Sequence, residues 1–420
     1  MWDCGLRGSR WMIAWVSCWI LPAGLLPGDE PDVRKWPGPS ANVSPIAAAT
    51  GKSEPDNASL ETAIQFISEA GANAQGAVAA RKARELLAHA DAKTLPRLLE
   101  AMDTPNVLAA NWYRTAFDAI ADRELAKPSP ELPRESLEAY LRDARRPGRP
   151  RRLALALLER MDSDLRRRLL ETWLDDPEFR RDAVEDRLKR GDQAKQAGNN
   201  DSAAKLYHDG FEHARDSDQV LDAVDKLKAV GRDVDPVMHL GFVNRWWLLG
   251  PFAAPDTTGF ARRFPPEDDL QKAFDSAATY EGLDGGAIGW KLFQSGDRLG
   301  ETNLNQALVA VKEAVGYAYA ELLSPREQSV RLCCSADDNL TVWLNGEKVL
   351  AREQWLNGTR LDRFIVPVKL NTGRNRVLVK ICQGPQHVNP EVPNNWTFQL
   401  RICDQTGRAA DFQNALPLPK

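Results

Sequence analysis

The sequence contains few histidines and none of the common catalytic signatures. It has five histidines in 420 residues, and His208 and His213 stand five positions apart, off the i, i+4 spacing that places two metal ligands on one helical face. A Gly-x-Ser-x-Gly elbow, a His-Glu-x-x-His helix, a Cys-x-x-Cys pair and a glycine-rich nucleotide loop are all absent. These absences argue against the familiar hydrolase, zinc-protease and nucleotide-binding classes, so we expect a protein that is not an enzyme.

A large excess of charge of one sign is also missing. The formal net charge is −4, which gives no global electrostatic reason to bind nucleic acid. One local run is basic, because six arginines lie between Arg142 and Arg152 with a single acid, Asp143. Pro147 and Pro150 interrupt this run, and charge runs are usually solvated. We therefore expect a solvent-exposed helix end and loop there.

The six cysteines do not form a recognisable framework. Two of them fall near the N-terminus, and the rest are Cys333, Cys334, Cys382 and Cys403. Neighbouring residues on a strand point to opposite faces, which separates Cys333 from Cys334. In an antiparallel hairpin, Cys382 and Cys403 would lie at opposite ends, too far apart to bond. The spacing matches no zinc pattern, so we expect buried or half-buried thiols.

The N-terminal segment predicts export. Arg7 and Arg10 precede an apolar stretch at 11–26, which is short for a membrane span but suits the apolar region of a signal peptide. Residues 1–27 are therefore predicted to be a signal peptide or an uncleaved anchor, and the protein to be periplasmic, attached to the cell envelope or extracellular. Seven prolines between 22 and 55 predict a disordered linker over residues 28–59.

From residue 60 to residue 235 the apolar pattern has the period of a helix. Leu95, Leu98, Leu99 and Met102 fall on one helical face, and several segments of this kind follow. Helices with a single apolar face must stack to be stable, as in an α-solenoid. The first hairpins resemble HEAT repeats, and residues 194–230 resemble one tetratricopeptide hairpin. Such stacks usually offer a concave surface to a peptide or protein partner.

Residues 236–408 change to a β pattern, with a short tail at 409–420. Val377, Val379 and Ile381 share one face and Lys380 lies opposite, which is the alternation of half-buried antiparallel strands. Asn345-Gly346 between two short apolar runs predicts a tight hairpin. About eight such strands predict a sandwich of two sheets, with a glycine- and acid-rich passage at 253–288 wrapped loosely around it. The predicted fold class is therefore multidomain, an α-solenoid followed by an all-β jelly-roll sandwich.

A family resemblance rests on short motifs within residues 242–406. They are WLLGPF (247–252), FPPE (264–267), GW (289–290), YAY (317–319), SADD (335–338), VWLNG (342–346) and NRVLVK (375–380). In this order they resemble the jelly-roll module of many secreted proteins of planctomycete-type bacteria. That module is similar to galactose-binding-like domains, to the sugar-binding domain of glycoside hydrolase family 2 and to protective-antigen-type lectin domains. The resemblance implies a fold and, more weakly, carbohydrate binding.

Two adjacent carboxylates form the candidate metal site. In the lectin-like relatives an Asp pair before a strand holds calcium, which implies this role for Asp337 and Asp338, with Asn345 as a further ligand. Asn357 and Asp362 would add oxygens if their loops converge, because calcium takes six to eight oxygen ligands. The alternative is that Asp337 and Asp338 only form a turn, since Asp side chains bond nearby backbone amides. Apart from calcium, we expect no cofactor.

The candidate carbohydrate site combines aromatic and polar side chains. Flat aromatic faces suit stacking on a sugar ring, and side-chain amides and imidazole can bond its hydroxyls. The candidates are Trp343, Trp355 and Trp396, with Gln383, His387 and Asn394 on the adjoining loop. The alternative for Trp343 and Trp396 is packing in the core, and Trp355 is the one that we expect to be exposed.

These observations favour an exported, non-catalytic binding protein that recognises carbohydrate at the cell envelope, with calcium as an optional aid. The first alternative is a scaffolding protein whose helical repeats bind a protein partner. The second is a polysaccharide-active enzyme with an unrecognised site.

Overall fold

The computed structural model describes residues 57–70, 77–268, 270–355, 358–389, 391–392 and 394–416. The described residues belong to one compact unit, Glu54–Lys420. The predicted signal segment and nearly all of the predicted linker lie outside them, as do the last residues of the tail. None of the helices in the described ranges is both long and apolar enough to cross a membrane.

The first half of the described chain is helical. The ten longer segments are α1 (Asn57–Ser68), α2 (Ala77–Ala88), α3 (Leu95–Ala101), α4 (Val107–Leu125), α5 (Arg134–Arg142), α6 (Gly148–Glu159), α7 (Leu165–Leu170), α8 (Arg180–Gln196), α9 (Asn200–His213) and α10 (Ser217–Lys228), and a short α11 (Pro236–Leu240) follows. Leu95, Leu98 and Leu99 are completely buried, as their spacing predicts. The predicted all-helical region is confirmed.

Helix starts depend on side-chain caps that the sequence pattern places only approximately. Thr104-Pro105 predicts the start of α4, but the helix begins at Val107 and Asn106 is its cap. The Asn106 side-chain oxygen accepts a hydrogen bond from the Ala109 backbone amide, and the Asn106 backbone amide donates to the Thr104 hydroxyl. A cap of this kind satisfies one of the amides that a helix start leaves unpaired.

One arginine of the basic run is buried, contrary to the sequence prediction. Arg151 has no solvent exposure, and its guanidinium donates to both carboxylate oxygens of Asp176 at 3.0 and 2.5 Å. The Asp176 carboxylate also accepts hydrogen bonds from the backbone amides of Glu178 and Phe179, so this one side chain joins α6 to the start of α8. Arg145 and its neighbours on the run do lie at the surface.

Close packing between α8 and α9 explains one glycine on each helix, of which Gly210 lies within the tetratricopeptide-like segment 194–230 and Gly191 just before it. A Cβ atom at Gly191 would lie 2.4 Å from the Tyr207 ring, and one at Gly210 would lie 2.9 Å from Leu188. The Tyr207 ring is buried and its hydroxyl donates to Asp192 at 2.8 Å. Small residues therefore let the two helices approach across an aromatic contact.

The second half of the described chain is a β-sandwich. Its strands are β1 (Arg245–Ala253), β2 (Thr279–Glu281), β3 (Ala287–Gly289), β4 (Lys291–Gln294), β5 (Thr302–Asn303), β6 (Ala314–Ser324), β7 (Gln328–Ala336), β8 (Leu340–Leu344), β9 (Glu347–Arg352), β10 (Phe364–Leu370), β11 (Gly373–Gln383), β12 (Thr397–Cys403) and β13 (Gln413–Asn414). A four-residue helix, α12 (Leu304–Ala307), follows β5. The long strands coincide with the predicted ones, and the predicted α-then-β fold class is confirmed.

All strand pairs are antiparallel. The larger sheet has the order β4-β1-β6-β11-β8-β9, with β13 also paired to β6, and the smaller sheet has the order β10-β7-β12-β5. The chain changes sheet between β6 and β7, between β7 and β8, and at each step from β9 to β12. This alternation is typical of a jelly roll. The inner faces enclose one core, to which β11 contributes Val377, Val379 and Ile381, as predicted.

The predicted hairpin between β8 and β9 is confirmed. Asn345 and Gly346 form its two-residue turn, with φ values of 53° and 84°. Two positive φ values are what a type I′ turn requires, and this turn matches the twist of paired strands.

The helical region and the sandwich share a hydrophobic cluster. Phe242, Leu299 and Leu361 pack with the apolar residues of α8 to α11. Arg298 of the sandwich also pairs with Asp225 of α10 at 2.8 Å. The helices therefore cover part of the sandwich surface.

Candidate functional site

The turn between β7 and β8 carries the predicted Asp pair. Both side chains are buried. The Asp337 carboxylate accepts a hydrogen bond from the Gly358 backbone amide at 2.6 Å, and the Asp338 carboxylate accepts one from the Gly384 backbone amide, in a different loop, at 2.8 Å. Burial raises the pKa of Asp337, although the bond from Gly358 and the positive charge of Lys312 act in the opposite direction. The pair anchors two loops at one end of the sandwich, through amides that are 21 and 46 residues away rather than through the nearby amides of the predicted turn.

The third predicted metal ligand lies elsewhere. Asn345 is at the opposite end of β8, where its Oδ1 accepts from the Arg376 amide and its Nδ2 donates to Asn375. The structure therefore does not bring Asn345 to Asp337 and Asp338, because a five-residue strand separates them.

The remaining candidate oxygens do not complete a calcium site either. Asp362 is paired with Arg401, with Nε to Oδ1 at 2.7 Å, and Asn357 lies outside the described residues. Within the ranges described, no group of three or more His, Cys, Asp or Glu side chains could hold a metal ion. Calcium takes six to eight oxygens, so the described residues do not fit it.

The six predicted carbohydrate-binding residues are divided among three places. Trp396 is a core residue with 1% exposure, and its indole N–H donates to the Ile381 carbonyl. It offers no face to a ligand, so its stacking role was a wrong prediction, and the reason is that β12 begins inside the sandwich. Trp355 is half-buried, and a Cβ at Gly384 would lie 2.9 Å from its ring.

Gln383 ends β11, and His387 and Asn394 lie on the loop that follows. Gln383 is buried and donates to the Asn394 side chain, while His387 accepts the Asn389 amide at 3.0 Å through Nδ1. Both Gln383 and His387 thus have partners within the loop region. Trp343 lies on the outer face of the larger sheet, in a hydrophobic cluster against which Trp355 also packs.

That outer face holds an aromatic pocket, which we define by Phe274, Tyr280, Trp290, Tyr319 and Trp343. Its cavity has a volume of about 270 Å³, at the lower end of the size of small-ligand sites, roughly 300 Å³. Trp343 and Tyr319 are nearly buried and form the floor, whereas Phe274, Tyr280 and Trp290 are half-buried walls.

The walls come from the segment between β1 and β4, here named the cap (residues 254–268 and 270–290). Phe274 of the cap stacks on Tyr319 of the sheet, with ring centroids 4.0 Å apart and planes 3° from parallel. The edge of Trp290 meets Phe274 at 5.2 Å. This packing corrects the expectation of a loose wrap, because the cap covers the outer face of the larger sheet through aromatic contacts.

Polar side chains lie at the rim of the pocket. Lys272, Asp275 and Arg376 line it, and the Arg376 guanidinium donates to the carbonyls of Gln271 and Lys272 at 3.2 and 2.6 Å. The pocket therefore combines flat apolar walls with a few charged groups, the general composition of a small-ligand site.

A buried ion pair fastens the cap to the sheet. The ammonium of Lys380 on β11 lies 2.8 Å from the Glu267 carboxylate of the cap and also donates to the carbonyls of Phe260 and Arg262. The Tyr317 hydroxyl donates to the same carboxylate at 2.5 Å, and burial raises the pKa of Tyr317. Lys380, on the face that the alternation pattern left for solvent, is therefore buried and holds the cap.

Sequence reasoning found Trp343 but missed the other pocket residues. Phe274, Tyr280 and Trp290 lie in a passage without strong periodicity, and that passage was interpreted as loose loop. A usable signal was present, because the GW and YAY motifs put aromatic side chains in the cap and on the outer face of β6. Aromatics on a strand face that should meet solvent indicate that something covers that face.

No protein-family model and no curated protein matches this chain. Among solved structures, it is similar to a β-glucuronidase of an uncultured Clostridium species at 14% identity and a TM-score of 0.25, over 39% of this chain and 29% of that chain. A Faecalibacterium prausnitzii β-glucuronidase is 13% identical with a TM-score of 0.22, over 39% of this chain and 31% of that one. The chain thus matches less than a third of the length of each enzyme. At these values the likeness is distant and carries no argument about function, while the predicted resemblances to planctomycete-type and lectin modules stay predictions.

Proposed function

We propose that the β-sandwich is a carbohydrate-binding module and that the aromatic pocket holds the sugar. The observation that carries this proposal is the pocket itself: aromatic faces from the cap and from the sheet enclose a space of about 270 Å³. Aromatic rings bind the apolar face of a pyranose, and charged groups at a rim can bond its hydroxyls. Its size suits one sugar ring of a longer glycan.

The proposal moves the site away from the predicted loops. Trp343 is common to the predicted site and the aromatic pocket, whereas Trp355, Gln383, His387 and Asn394 lie around the Asp-pair turn. Calcium has no part in the proposed binding, because Asn345 and Asp362, the described residues that would complete its site, do not converge on Asp337 and Asp338.

We also propose that the module binds without cleaving. Glycoside hydrolysis ordinarily needs two carboxylates on either side of the scissile bond. Among the described lining residues of the pocket, Asp275 is the one acid. The Glu267 carboxylate is occupied by Lys380 and Tyr317.

A glycan array tests the binding proposal. The full chain is applied with and without the Trp290→Ala substitution, which removes a half-buried wall of the pocket, and Lys291→Ala serves as an exposed neighbouring control. We expect a defined set of glycans to be bound by the wild type and the control, and to be bound about tenfold more weakly by the Trp290 variant, as the loss of an aromatic contact and its buried area implies. Absence of glycan binding by the wild type would end the proposal.

The place of action is part of the proposal. Arg7, Arg10 and the apolar stretch that follows support export to the cell envelope or beyond it. Fractionation of cells that express the full chain tests this, and recovery in the cytoplasm alone would contradict it.

A second candidate function is protein binding by the helical repeats. A groove of about 700 Å³ lies between the start of α4 and α6, and Val107 at its edge is 65% exposed. Affinity capture with wild-type, Val107→Glu and Val78→Glu chains tests it, because Val78 is equally apolar and 73% exposed but lies on α2 outside this groove. A partner that is lost only with the Val107 variant would support this function, and equal capture by all three chains would oppose it.

A further inference from the structure

Two cysteines on neighbouring strands lie side by side. Cys333 on β7 and Cys403 on β12 have their sulfur atoms 3.6 Å apart. In the antiparallel register Cys333 is opposite Arg401, and Cys403 is opposite Arg331. The two cysteines are therefore diagonal neighbours on one face of the smaller sheet. Diagonal neighbours are usually 7–8 Å apart between Cα atoms, so the sulfur contact marks a pair whose side chains lean toward each other.

The other two described cysteines differ in this respect. Cys334, next to Cys333 in sequence, faces the core between the sheets and packs with its hydrophobic residues. Cys382 is on β11 of the larger sheet, under the cap. Cys382 and Cys403 are therefore separated, as predicted, but not because they lie at opposite ends of one hairpin. They are separated because β11 and β12 belong to different sheets.

The surroundings of the pair favour a reactive thiolate on one member. A hydrogen bond from Cys333 lowers the pKa of the Cys403 thiol to about 7, with burial raising it and the Arg401 guanidinium lowering it further. The same hydrogen bond and burial raise the pKa of Cys333. Of the two, Cys403 is therefore the thiol that ionises more readily, and a thiolate is the form that attacks a disulfide.

We propose that Cys333 and Cys403 form a disulfide that joins β7 to β12 when the chain folds in the presence of a disulfide oxidant. The sulfur atoms need to approach by roughly 1.5 Å to reach the bond length of about 2.05 Å. The two strands must also draw together slightly, because disulfide-bonded residues are usually about 4.4–6.8 Å apart between Cα atoms and diagonal neighbours roughly 7–8 Å. The oxidant is a low-molecular-weight disulfide or the active disulfide of a thiol oxidase. Both thiols are buried in the folded chain, so the reaction takes place before the outer face of the smaller sheet is covered.

The reaction is a two-step thiol–disulfide exchange. The Cys403 thiolate attacks one sulfur of the oxidant, forms a mixed disulfide and releases the other half as a thiolate. Cys333 loses its proton and attacks the Cys403 sulfur, which releases the second half. The two protein thiols are oxidised by two electrons, the oxidant disulfide is reduced to two thiols, and the two protons from the cysteines end on those thiols.

The test is to refold the full chain from reduced denaturant in a buffer of oxidised and reduced glutathione, and in reductant alone as the reference. After alkylation and digestion without reduction, mass spectrometry should find the peptide of Cys333 linked to the peptide of Cys403. The oxidised protein should unfold at a temperature roughly 5 °C or more above the reduced one, because the bond closes a long loop.

Two variants assign the bond, because Cys333 and Cys334 share a peptide. The Cys334→Ala chain should keep both the linked peptides and the rise in unfolding temperature, and the Cys403→Ala chain should lose both. The proposal is overturned if wild-type Cys333 and Cys403 are both alkylated after refolding with glutathione, or if either is linked to a different cysteine. These readouts do not involve sugar, so they are independent of the proposed carbohydrate function.

Discussion

The cap covers the outer face of the larger sheet, whereas the helices cover only part of the outer face of the smaller sheet, where Ile365 is 51% exposed. On the larger sheet, Lys380 is paired with Glu267 of the cap, and an aromatic pocket lies between the cap and the sheet. On the smaller sheet, Arg401 is paired with Asp362 and also donates to the Leu240 carbonyl of α11. A buried cation holds each cover in place, but the first cover forms a cavity and the second joins the sandwich to the helices.

Similar buried ion pairs therefore serve different purposes on the two sheets. Removing one partner of such a pair leaves an uncompensated buried charge, which is costly wherever it occurs. If the aromatic pocket is the ligand site, only the pair under the cap should also control binding.

The largest expected effect is that of Glu267→Ala, which leaves Lys380 buried without its counterion and Tyr317 without its acceptor. We expect the free energy of unfolding to fall by about 4 kcal/mol and glycan affinity to fall as well, because the cap loses its anchor. Urea unfolding and calorimetric titration measure the two quantities. Asp268→Ala, at a neighbouring exposed pair with Arg263, is the control and should change both little.

The matched change on the other sheet is Asp362→Ala, which leaves Arg401 without its carboxylate partner. We expect a loss of about 3 kcal/mol in the free energy of unfolding, with glycan affinity unchanged for the protein that remains folded. Asp411→Ala, at an exposed pair with Arg326, should have little effect on stability. Equal loss of affinity in the Glu267 and Asp362 variants would mean that the cap has no special relation to the ligand.

The pH dependence of stability should differ in sign between two buried carboxylates. Burial alone would raise the pKa of Asp176, but the hydrogen bonds from Arg151 and from two backbone amides lower it overall, so its contribution to stability is lost as pH falls below about 4. The pKa of Asp337 is raised by burial, so its contribution is greatest at low pH and is lost as pH rises through that raised pKa.

Unfolding curves between about pH 3 and 7 for Asp176→Asn and Asp337→Asn chains measure this contrast. In the Asp176→Asn chain, the free energy of unfolding should fall less than in the wild type as the pH is lowered. In the Asp337→Asn chain, it should fall less than in the wild type as the pH is raised. The same trend in both variants would contradict the assigned directions.

The smallest expected effect is that of a metal chelator, for which we expect no change. Asp337 and Asp338 are occupied by backbone amides and Asn345 is at the far end of β8, so glycan affinity and the unfolding temperature should be equal in calcium and in a chelator. A fall in either after chelation would restore the calcium proposal.

The alternation along the strands predicted the inner faces of the sandwich well. Val377, Val379 and Ile381 face the core because a period of two leaves one face of a strand for burial, and Asn345-Gly346 specifies its own turn. The same pattern suggested that Lys380 lies toward solvent, and that was wrong. Alternation describes one face of a sheet and carries no information about a segment that later covers the other.

In the helical region, too, the local sequence pattern predicted the buried face of a helix but not a long-range contact. The stripe through Leu95, Leu98 and Leu99 predicted a buried face, whereas the charge run around Arg151 gave no sign that one arginine has a buried partner 25 residues further on. The pocket walls Phe274 and Trp290 were missed for a related reason. The aromatic motifs indicate that the outer face of β6 is covered, but which segment covers it depends on tertiary packing between the cap and a distant strand.

Calorimetric titration of one array-identified glycan into the Trp290→Ala and Trp355→Ala chains decides whether the aromatic pocket is the sugar site. Both substitutions remove a half-buried tryptophan, but Trp290 lines the aromatic pocket and Trp355 lies beside Gly384 near the Asp-pair turn. We predict that affinity falls about tenfold for Trp290→Ala and stays at the wild-type value for Trp355→Ala. The reverse result would place the ligand on the loops and contradict the account.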